Sequence, residues 1–349
     1  MSMQGAAVRQ LGFGVSRVRF RGIDALRLAD RAGTTEAVFA LKGATLLDWR
    51  VLTADGELLE LIDGYQCAAE LNGQHGVRNG LLAPFQNRIA DARYRFDGVD
   101  HDLLPGAEGD ARLIYHGLAR TLDFLPLRIE EGPEGASVLF GCEAIRPGAF
   151  AGYPFAISLR LTVNLSASGL SLFLSAANVG SQDAPVTLGW HPYFRLGDAG
   201  IDALELKVPA ARLILTDDAL IPLAGDAARA PLGEHPEQDF SIARPIGKAV
   251  LDCCYADHAP SADKLVRSTL RDPSTGNALR IWQDGGLVHV FTGDTLARDA
   301  RRSIAIEPVD APTDAFNRSD CNESIRLPAG GRRTFSFGAE FVAATPNNA

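Results

Sequence analysis

Two places in this sequence combine a group that can exchange protons with a proline that stiffens the backbone beside it. His191 is followed by Pro192, and Glu307 is followed by Pro308. A proline disfavours the α region for the residue before it and favours extended backbone there. An imidazole and a carboxylate held in this way could act as a general acid and a general base. The alternative is structural: Glu307 as a solvated strand end and His191 as a member of an aromatic cluster.

Other polar residues stand in similar settings, each with a functional and a structural interpretation. His116 precedes Gly117 in a turn, where it either caps the turn or binds a ligand. Arg88 follows Asn87 in a loop and is either a surface arginine or a donor to a substrate. His289 lies between two valines, and we predict that it is packed or hydrogen bonded on a strand.

The sequence lacks the motifs that are typical of metal, cofactor-dependent and serine-nucleophile catalysis. No H-x-H or H-E-x-x-H spacing brings potential ligands such as His116, His191, His289 and Glu307 together, so we predict no metal centre. The sequence contains no P-loop, no G-x-G-x-x-G and no G-x-S-x-G motif, and we predict no cofactor. The five cysteines form no C-x-x-C pair and are expected to be free thiols, although a Cys–His nucleophile stays open.

Composition narrows the possible partners. The net charge is −9, which argues against binding to nucleic acid or to an anionic membrane surface. No apolar run approaches the roughly 20 residues of a membrane span. The first twenty residues lack the apolar core of a signal peptide, and we therefore expect a cytoplasmic protein.

Period-two alternation of apolar residues dominates the chain and predicts strands. It runs through Ile157–Asn164 and resumes at Leu170 after a Ser-Ala-Ser-Gly turn, which predicts a hairpin. Thr334–Phe341 alternates in the same way, and Arg93–Leu104 contains two short strands around Asp97-Gly98, a strong hairpin signal.

Weaker patterns predict the remaining strands and turns. Leu279–Trp282 and Leu287–Phe291 flank a Gln-Asp-Gly-Gly turn. Glu307 is predicted to end a strand over Ser303–Ile306, on the face opposite Ile304 and Ile306. Helical periodicity is scarce, with one or two turns at Tyr65–Leu71. Short strands with frequent turns predict an all-β antiparallel sandwich of about 20 strands or more. We interpret the proline-rich segment 221–247 as a surface loop rather than a domain linker, and predict one domain over residues 1–349.

Four segments resemble, in chain order, those of the aldose 1-epimerase (galactose mutarotase) family. PFQNRIADARYRFDG resembles the N-R-I segment of that family, and YHGLAR resembles its H-G segment. LGWHPYFRLG resembles its H-P-Y-F segment, and IAIEPVDAPTDAFN its glutamate segment. The resemblance spans residues 35–343, and the ordered combination of H-P-Y-F with E-P and A-F-N is far more specific than either alone.

The resemblance implies a large twisted β-sandwich whose concave face holds a sugar. It implies that Glu307 is the catalytic base and His191 the catalytic acid. It further implies that the substrate is bound by Asn87, Arg88, His116 and, from the shorter VLDCCY match, Asp252. One of several aromatic residues is expected to cover the sugar ring: Trp190, Tyr193, Trp282 or Phe291.

The implied reaction suits these residue types. Opening a cyclic hemiacetal requires a proton taken from the C1 hydroxyl and one given to the ring oxygen, and no cofactor or metal is needed. We expect Glu307 to be ionised and the carboxylates of Glu307 and Asp252 to raise the pKa of His191. The upper limb of the pH profile would then belong to His191.

Three alternatives to a mutarotase for a free hexose or related aldose stay open. A mutarotase for a phosphorylated or sulfated sugar would need further cations at the cleft mouth, with candidates Arg120, Arg128 and Arg195. A carbohydrate-binding protein would keep the cleft without catalysis, and a cupin-type isomerase would need a metal. The sequence is compatible with a monomer or a homodimer.

Overall fold

The computed structural model describes residues 12–344, which are dominated by antiparallel strands. The strands, β1 to β26 in chain order, are Phe13–Phe20, Ile23–Asp30, Thr35–Ala40, Leu46–Leu52, Leu58–Glu60, Leu81–Leu82, Arg93–Phe96, Val99–Asp102, Leu125–Glu131, Gly135–Ile145, Ile157–Ser166, Gly169–Asn178, Ala184–Pro185, Gly189–Trp190, Tyr193–Phe194, Glu205–Lys207, Ala210–Ile214, Arg229–Pro231, Arg244–Pro245, Asp252–His258, Val266–Arg271, Ala278–Gln283, Leu287–Phe291, Ile304–Val309, Arg326–Leu327 and Arg332–Val342.

Helices are short. Within residues 12–344, two are α-helical, α1 at Ala68–Gly73 and α2 at Asn322–Ile325. The 3-10 turns are His75–Val77, Ala90–Ala92, Gly109–Ala111, Ala119–Thr121, Gly225–Ala228, Leu232–Glu234, Ala315–Asn317 and Ser319–Cys321. No helix among residues 12–344 combines the length and the apolar character needed to cross a membrane.

Three large sheets form the architecture, and the fold is an all-β sandwich as predicted. The first sheet has five strands in the order β1-β2-β3-β4-β5. The second has nine, in the order β19-β16-β21-β22-β26-β12-β11-β10-β9. The third has eight, with β18-β17-β20-β23-β24-β14-β6 in sequence and β15 paired with β24.

Side-chain alternation explains how the sheets pack. In β11 and β12, the apolar residues at every second position are buried, while most of the intervening residues are partly exposed. The nine-stranded sheet meets the eight-stranded sheet where Phe337 stacks on Trp190, with ring centroids 5.5 Å apart. It meets the five-stranded sheet where Phe140 approaches Phe39 at 6.4 Å. Burial of these apolar faces in one continuous core holds the sheets together.

The predicted hairpins form. β11 and β12 are joined by the Ser-Ala-Ser-Gly turn, and β7 pairs with β8 across Asp97-Gly98. Asp97 and Gly98 have φ values of 49° and 80°, the left-handed pair that a two-residue hairpin turn requires. The Gln-Asp-Gly-Gly turn has a different role, because it connects β22 in the nine-stranded sheet to β23 in the eight-stranded sheet.

Three sequence-based boundaries need correction. Helix α1 begins at Ala68 rather than at Tyr65. Segment 221–247 is not a bare surface loop, because it contains short strands and buries Leu232, Phe240 and Ile246 in the core. Strand β24 continues through Glu307 to Val309. The signal-peptide expectation concerns residues 1–20, of which 1–11 lie outside the described part.

Candidate active site

Glu307 lies in the middle of β24, between two imidazoles. On one side, His289 of β23 is its direct antiparallel partner. On the other side, Gly189 pairs with Val309 and Tyr193 pairs with Ala305, so His191 between them lies opposite Glu307. Directly opposite residues of antiparallel strands share one face of the sheet. The sheet register therefore places all three titratable side chains in one row.

The two residues implied to be catalytic are in contact. His191 Nε2 lies 3.4 Å from Glu307 Oε1. Glu307 is 2% exposed and His191 is 4% exposed. The interpretation of Glu307 as a solvated strand end is therefore wrong, because neighbouring strands cover it on both sides. His191 does stack on Tyr193, at 5.0 Å between ring centroids, so it belongs to an aromatic cluster and faces Glu307 as well.

Asp252 is linked to these three side chains by a hydrogen bond to His289. Asp252 begins β20, two positions before Cys254, which pairs with His289. Its Oδ1 lies 2.8 Å from Nε2 of His289, and its side chain is 39% exposed. His289 is thus hydrogen bonded, as predicted, and it also lies in the site, which the sequence analysis did not predict.

Two loops bring Asn87, Arg88 and His116 to the same place. Asn87 and His116 both adopt left-handed backbone, with φ of 47° and 63°, and the His116 amide donates to the Asn87 carbonyl at 2.9 Å. Gly117 is needed beside them, because a Cβ there would come 2.3 Å from the Ala83 carbonyl oxygen. Both loops are therefore fixed by backbone geometry.

The segment after Glu307 braces the loop that carries Arg88. The Asp314 amide donates to the Arg88 carbonyl, and the Asp314 carboxylate accepts from the Ala90 amide, both at 2.9 Å. The Gln86 side chain donates to the Ala311 carbonyl. These contacts give a structural reason for the D-A-P-T-D sequence that follows Glu307-Pro308.

These side chains line a single cleft of about 500 Å³, a volume typical of a small-molecule site. All six predicted site residues line it: Asn87, Arg88, His116, His191, Asp252 and Glu307. The cleft is also lined by Tyr193 and Phe291, two of the aromatic residues expected to cover the sugar ring. No sequence pattern predicted cleft lining for the others, which are His75, Gly76, Val77, Tyr115, His289, Thr295, Leu296 and Ala297. Among these residues, only His289 lies in a sequence pattern that predicted an ordered, hydrogen-bonded side chain. No pattern around His75 indicated a role in the site.

The structure separates the aromatic candidates. Tyr193 and Phe291 line the cleft. Trp190 is buried against Phe337, and Trp282 belongs to the nine-stranded sheet. Tyr193 and Phe291 are therefore the two that can cover a sugar ring.

None of the three candidate arginines is among the cleft-lining residues. Arg128 pairs with Glu130 on an exposed strand. Arg195 pairs with Glu60 and Asp198. Arg120 hydrogen bonds to Gln74 and to the Tyr115 carbonyl beside the cleft. The partners of Arg128 and Arg195 hold those two side chains away from the cleft lining, whereas Arg120 lies beside the cleft and stays the candidate cation for a charged-sugar site.

Burial controls the protonation of the central pair. It raises the pKa of Glu307 to about 8, against the opposing effect of the nearby His289 charge. It lowers the pKa of His191 to about 3, and the same His289 charge adds to that effect. The expectation that carboxylates raise the pKa of His191 is therefore wrong, because desolvation outweighs them. At neutral pH the unliganded pair therefore shares one proton, held by Glu307, so the expectation that Glu307 is ionised is also wrong.

The second histidine–carboxylate pair behaves in the opposite way. Burial acts to lower the pKa of His289, but its hydrogen bond to Asp252 prevails and the pKa lies well above the ordinary value. Burial acts to raise the pKa of Asp252, yet His289 keeps that pKa below its usual value. Burial and the charges around it hold the pKa of His116 well below the ordinary range.

One group of side chains has the composition of a metal site. Within the described part of the chain, the potential ligand atoms of His116, His191 and Glu307 lie within 4.8 Å of one another. The Nδ1 atoms of both histidines are buried without a hydrogen-bond partner among residues 12–344. The absence of a metal from the reaction stays a sequence-based prediction.

Comparison with known proteins identifies the class. The sequence matches the aldose 1-epimerase family over residues 24–338. The chain therefore belongs to the aldose 1-epimerase family of isomerases, which confirms the resemblance stated above. The uncharacterized protein YihR of Escherichia coli K12 is 27% identical over 238 residues, 68% of this chain and 71% of YihR. The galactose mutarotase of Homo sapiens is 26% identical over 270 residues, 73% of each chain.

Solved structures share the fold. The galactose 1-epimerase from Lactobacillus acidophilus NCFM superposes with a TM-score of 0.76 at 18% identity, over 96% of this chain and all of that one. A galactose mutarotase-like protein from Clostridium acetobutylicum superposes with a TM-score of 0.77 at 16% identity, over 95% of this chain and 99% of that one.

Proposed function

We propose that this protein is a mutarotase that interconverts the α and β anomers of a free hexose or related aldose. The observation that carries the proposal is the contact between Glu307 and His191 in a sugar-sized cleft. When a carboxyl and an imidazole share one proton, one group can donate a proton to the substrate while the other accepts a proton from it. Anomer interconversion requires this pair of transfers.

The proposed mechanism uses Glu307 as the base and His191 as the acid. Hydroxyl donors of the bound sugar stabilise the carboxylate of Glu307, which moves the shared proton to His191. Glu307 then takes the proton of the C1 hydroxyl while His191 gives one to the ring oxygen. The ring C1–O bond breaks and the C1 carbonyl forms. Rotation about C1–C2 and reclosure with the roles reversed produce the other anomer, and protons balance over the cycle.

Binding is assigned to the groups around this pair. The planar fork of Arg88 can donate to adjacent hydroxyls or to an anionic substituent. Asn87, His116 and Asp252 supply further polar groups, and buried polar groups of this kind penalise a sugar that lacks the matching hydroxyl. Tyr193 or Phe291 covers the apolar face of the ring.

Anomer exchange measured by NMR at equilibrium tests the proposal. The panel should contain several neutral aldohexoses and a 6-phosphorylated aldohexose, with wild type and Glu307→Gln. We expect the wild type to accelerate exchange for at least one sugar and Glu307→Gln to lose about 10²–10⁴ of that rate. Glu323→Gln is the matched control, because Glu323 is an exposed residue of α2.

Each outcome has a definite meaning. Wild-type activity confined to the phosphorylated sugar would favour the charged-sugar alternative. Equal rates for wild type and Glu307→Gln would contradict the assignment of the base. Binding of sugars without any acceleration would favour a carbohydrate-binding protein.

The domain organisation, the oligomeric state and the location of the protein also belong to this proposal. We propose that residues 1–349 act as one domain, without a cofactor, as a monomer or a homodimer. The five cysteines are free thiols, the usual state in a reducing compartment, and we place the protein in the cytoplasm on this ground.

A further inference from the structure

The two histidines that flank Glu307 are not equivalent. His289 is anchored by a second carboxylate, with its Nε2 2.8 Å from Asp252 Oδ1. His191 has a longer contact of 3.4 Å, and that contact is to Glu307 itself. One imidazole is therefore held by a group outside the reacting pair, and the other is not.

We propose that His289 is a positioning residue of this site, which holds a fixed positive charge beside Glu307 and orients the carboxylate of Asp252 in the cleft. His191 is then the histidine that carries the transferable proton. This assignment rests on the proposed function and deepens it, because it says why one of two flanking imidazoles takes part in proton exchange.

Burial and pairing support a fixed charge on His289. The residue is 8% exposed, and a buried charge is tolerated only when it is paired and hydrogen bonded. Asp252 provides the pair, and strand β20 fixes its position relative to β23. The hydrogen bond uses Oδ1, so Oδ2 of this partly exposed carboxylate can accept from a sugar hydroxyl.

Every element packed around His289 contributes a group that bears on its charge. β20 contributes Asp252 and Cys254, and β24 contributes Glu307. The loops contribute ionisable groups that interact electrostatically with the side chains around Glu307, namely Arg88, His116, Arg120 and His191. Two carboxyl groups thus lie next to His289: the Asp252 carboxylate stabilises its cation throughout, and Glu307 does so when it has released its proton.

A fixed cation has a measurable consequence. It makes protons easier to remove from both Glu307 and His191. Removing the charge raises the pKa of both groups, so both limbs of the pH–rate profile move to higher pH. Glu307 also releases its proton less readily at neutral pH, so turnover falls.

Two substitutions separate charge from orientation. His289→Gln places an amide donor where Nε2–H lies and can keep the hydrogen bond to Asp252 while it removes the charge. His289→Ala removes both. We expect His289→Gln to lower kcat about tenfold with little change in KM, because Glu307 without the neighbouring cation releases its proton less readily. His289→Ala should raise KM as well, and His258→Asn is the control.

His258 is a suitable control because it lies on the same strand as Asp252 but hydrogen bonds to the carbonyl of Tyr255. The inference is wrong if His289→Gln keeps the wild-type kcat and the wild-type pH profile. It is also wrong if His289→Gln shifts the profile to lower pH.

A spectroscopic readout keeps the test independent of activity. In ¹⁵N-histidine NMR of the wild type at pH 7, we expect His289 to show the cationic pattern and His191 the neutral one. Asp252→Asn should convert His289 to the neutral form. A neutral His289 in the wild type would overturn the inference even if the enzyme were active. A cationic His289 in a protein without mutarotase activity would leave the ion pair standing and refute the proposed function alone.

Discussion

His191 Nε2 and Glu307 Oε1 lie 3.4 Å apart, although the two residues come from distant parts of the chain. His191 lies between β14 and β15, both of which pair with the strand of Glu307, and both side chains are buried and line one cleft. Desolvation drives each of them toward its uncharged form, so the pair shares a single proton instead of forming an ion pair. This state allows one residue to donate when the other accepts.

The pH dependence of turnover follows from that shared proton. At high pH the pair loses its only proton and no acid remains; the pKa of Glu307, raised to about 8, sets this limb. At low pH His191 takes a second proton and no acceptor remains; its lowered pKa, about 3, sets the other limb. We expect a broad plateau of kcat between these limits, with values that belong to the pair.

Exchange NMR at equilibrium over a range of pH measures this profile. The upper limb, assigned to His191 from the sequence, is reassigned to Glu307 because His191 is already neutral there. If residual activity in Glu307→Gln kept the same upper limb, the reassignment would fail.

Arg88 is expected to contribute to binding more than to turnover. Arg88→Lys keeps the charge but loses the planar fork that contacts two hydroxyls at once. A hydrogen bond to a charged group contributes about 1.5–3 kcal/mol, so KM should rise roughly tenfold to a hundredfold while kcat changes little. Steady-state rates against sugar concentration measure this change, with Arg128→Lys as the exposed control. A lower kcat at unchanged KM would place Arg88 in the chemical step instead.

A buried ion pair behind the site should matter for stability. The side chains of Arg78 and Asp63 are 3% and 5% exposed, and Asp63 also accepts from Ser303. Arg78→Met would leave the Asp63 carboxylate without its main partner, so the free energy of unfolding should fall by about 3–5 kcal/mol. Urea denaturation measures the change.

Arg128→Met is the matched control for this experiment. Arg128 is 65% exposed and forms a surface ion pair, which contributes about 0–1 kcal/mol. Similar midpoints for the two variants would show that the Arg78–Asp63 pair adds nothing to stability.

Catalysis is expected to survive removal of metals. The proposed steps use only proton transfers between the sugar, Glu307 and His191, so exhaustive dialysis against a chelator should leave kcat unchanged. Exchange rates before and after dialysis, with the metal content checked by mass spectrometry, measure this. A loss of activity that added Zn²⁺ restores would contradict the mechanism and favour the metal-dependent alternative.

The sequence by itself determined the strand-rich fold, the hairpins and six of the residues that line the cleft. Hairpins could be predicted because period-two alternation and the Asp97-Gly98 turn are local signals. The site residues could be predicted because they lie in short motifs, such as H-P-Y-F and E-P with A-F-N, whose order along the chain resembles that of a known family.

Only the tertiary structure decided which groups meet and which protonation states they adopt. His289 enters the site because β23 lies beside β24, and strand pairing between distant segments leaves no local trace in the sequence. The pKa of His191 falls because neighbouring strands desolvate the side chain, whereas the sequence showed only that carboxylates would be near. Burial and register are properties of the assembled sheets, and they control the charges of Glu307, His191 and the His289–Asp252 pair.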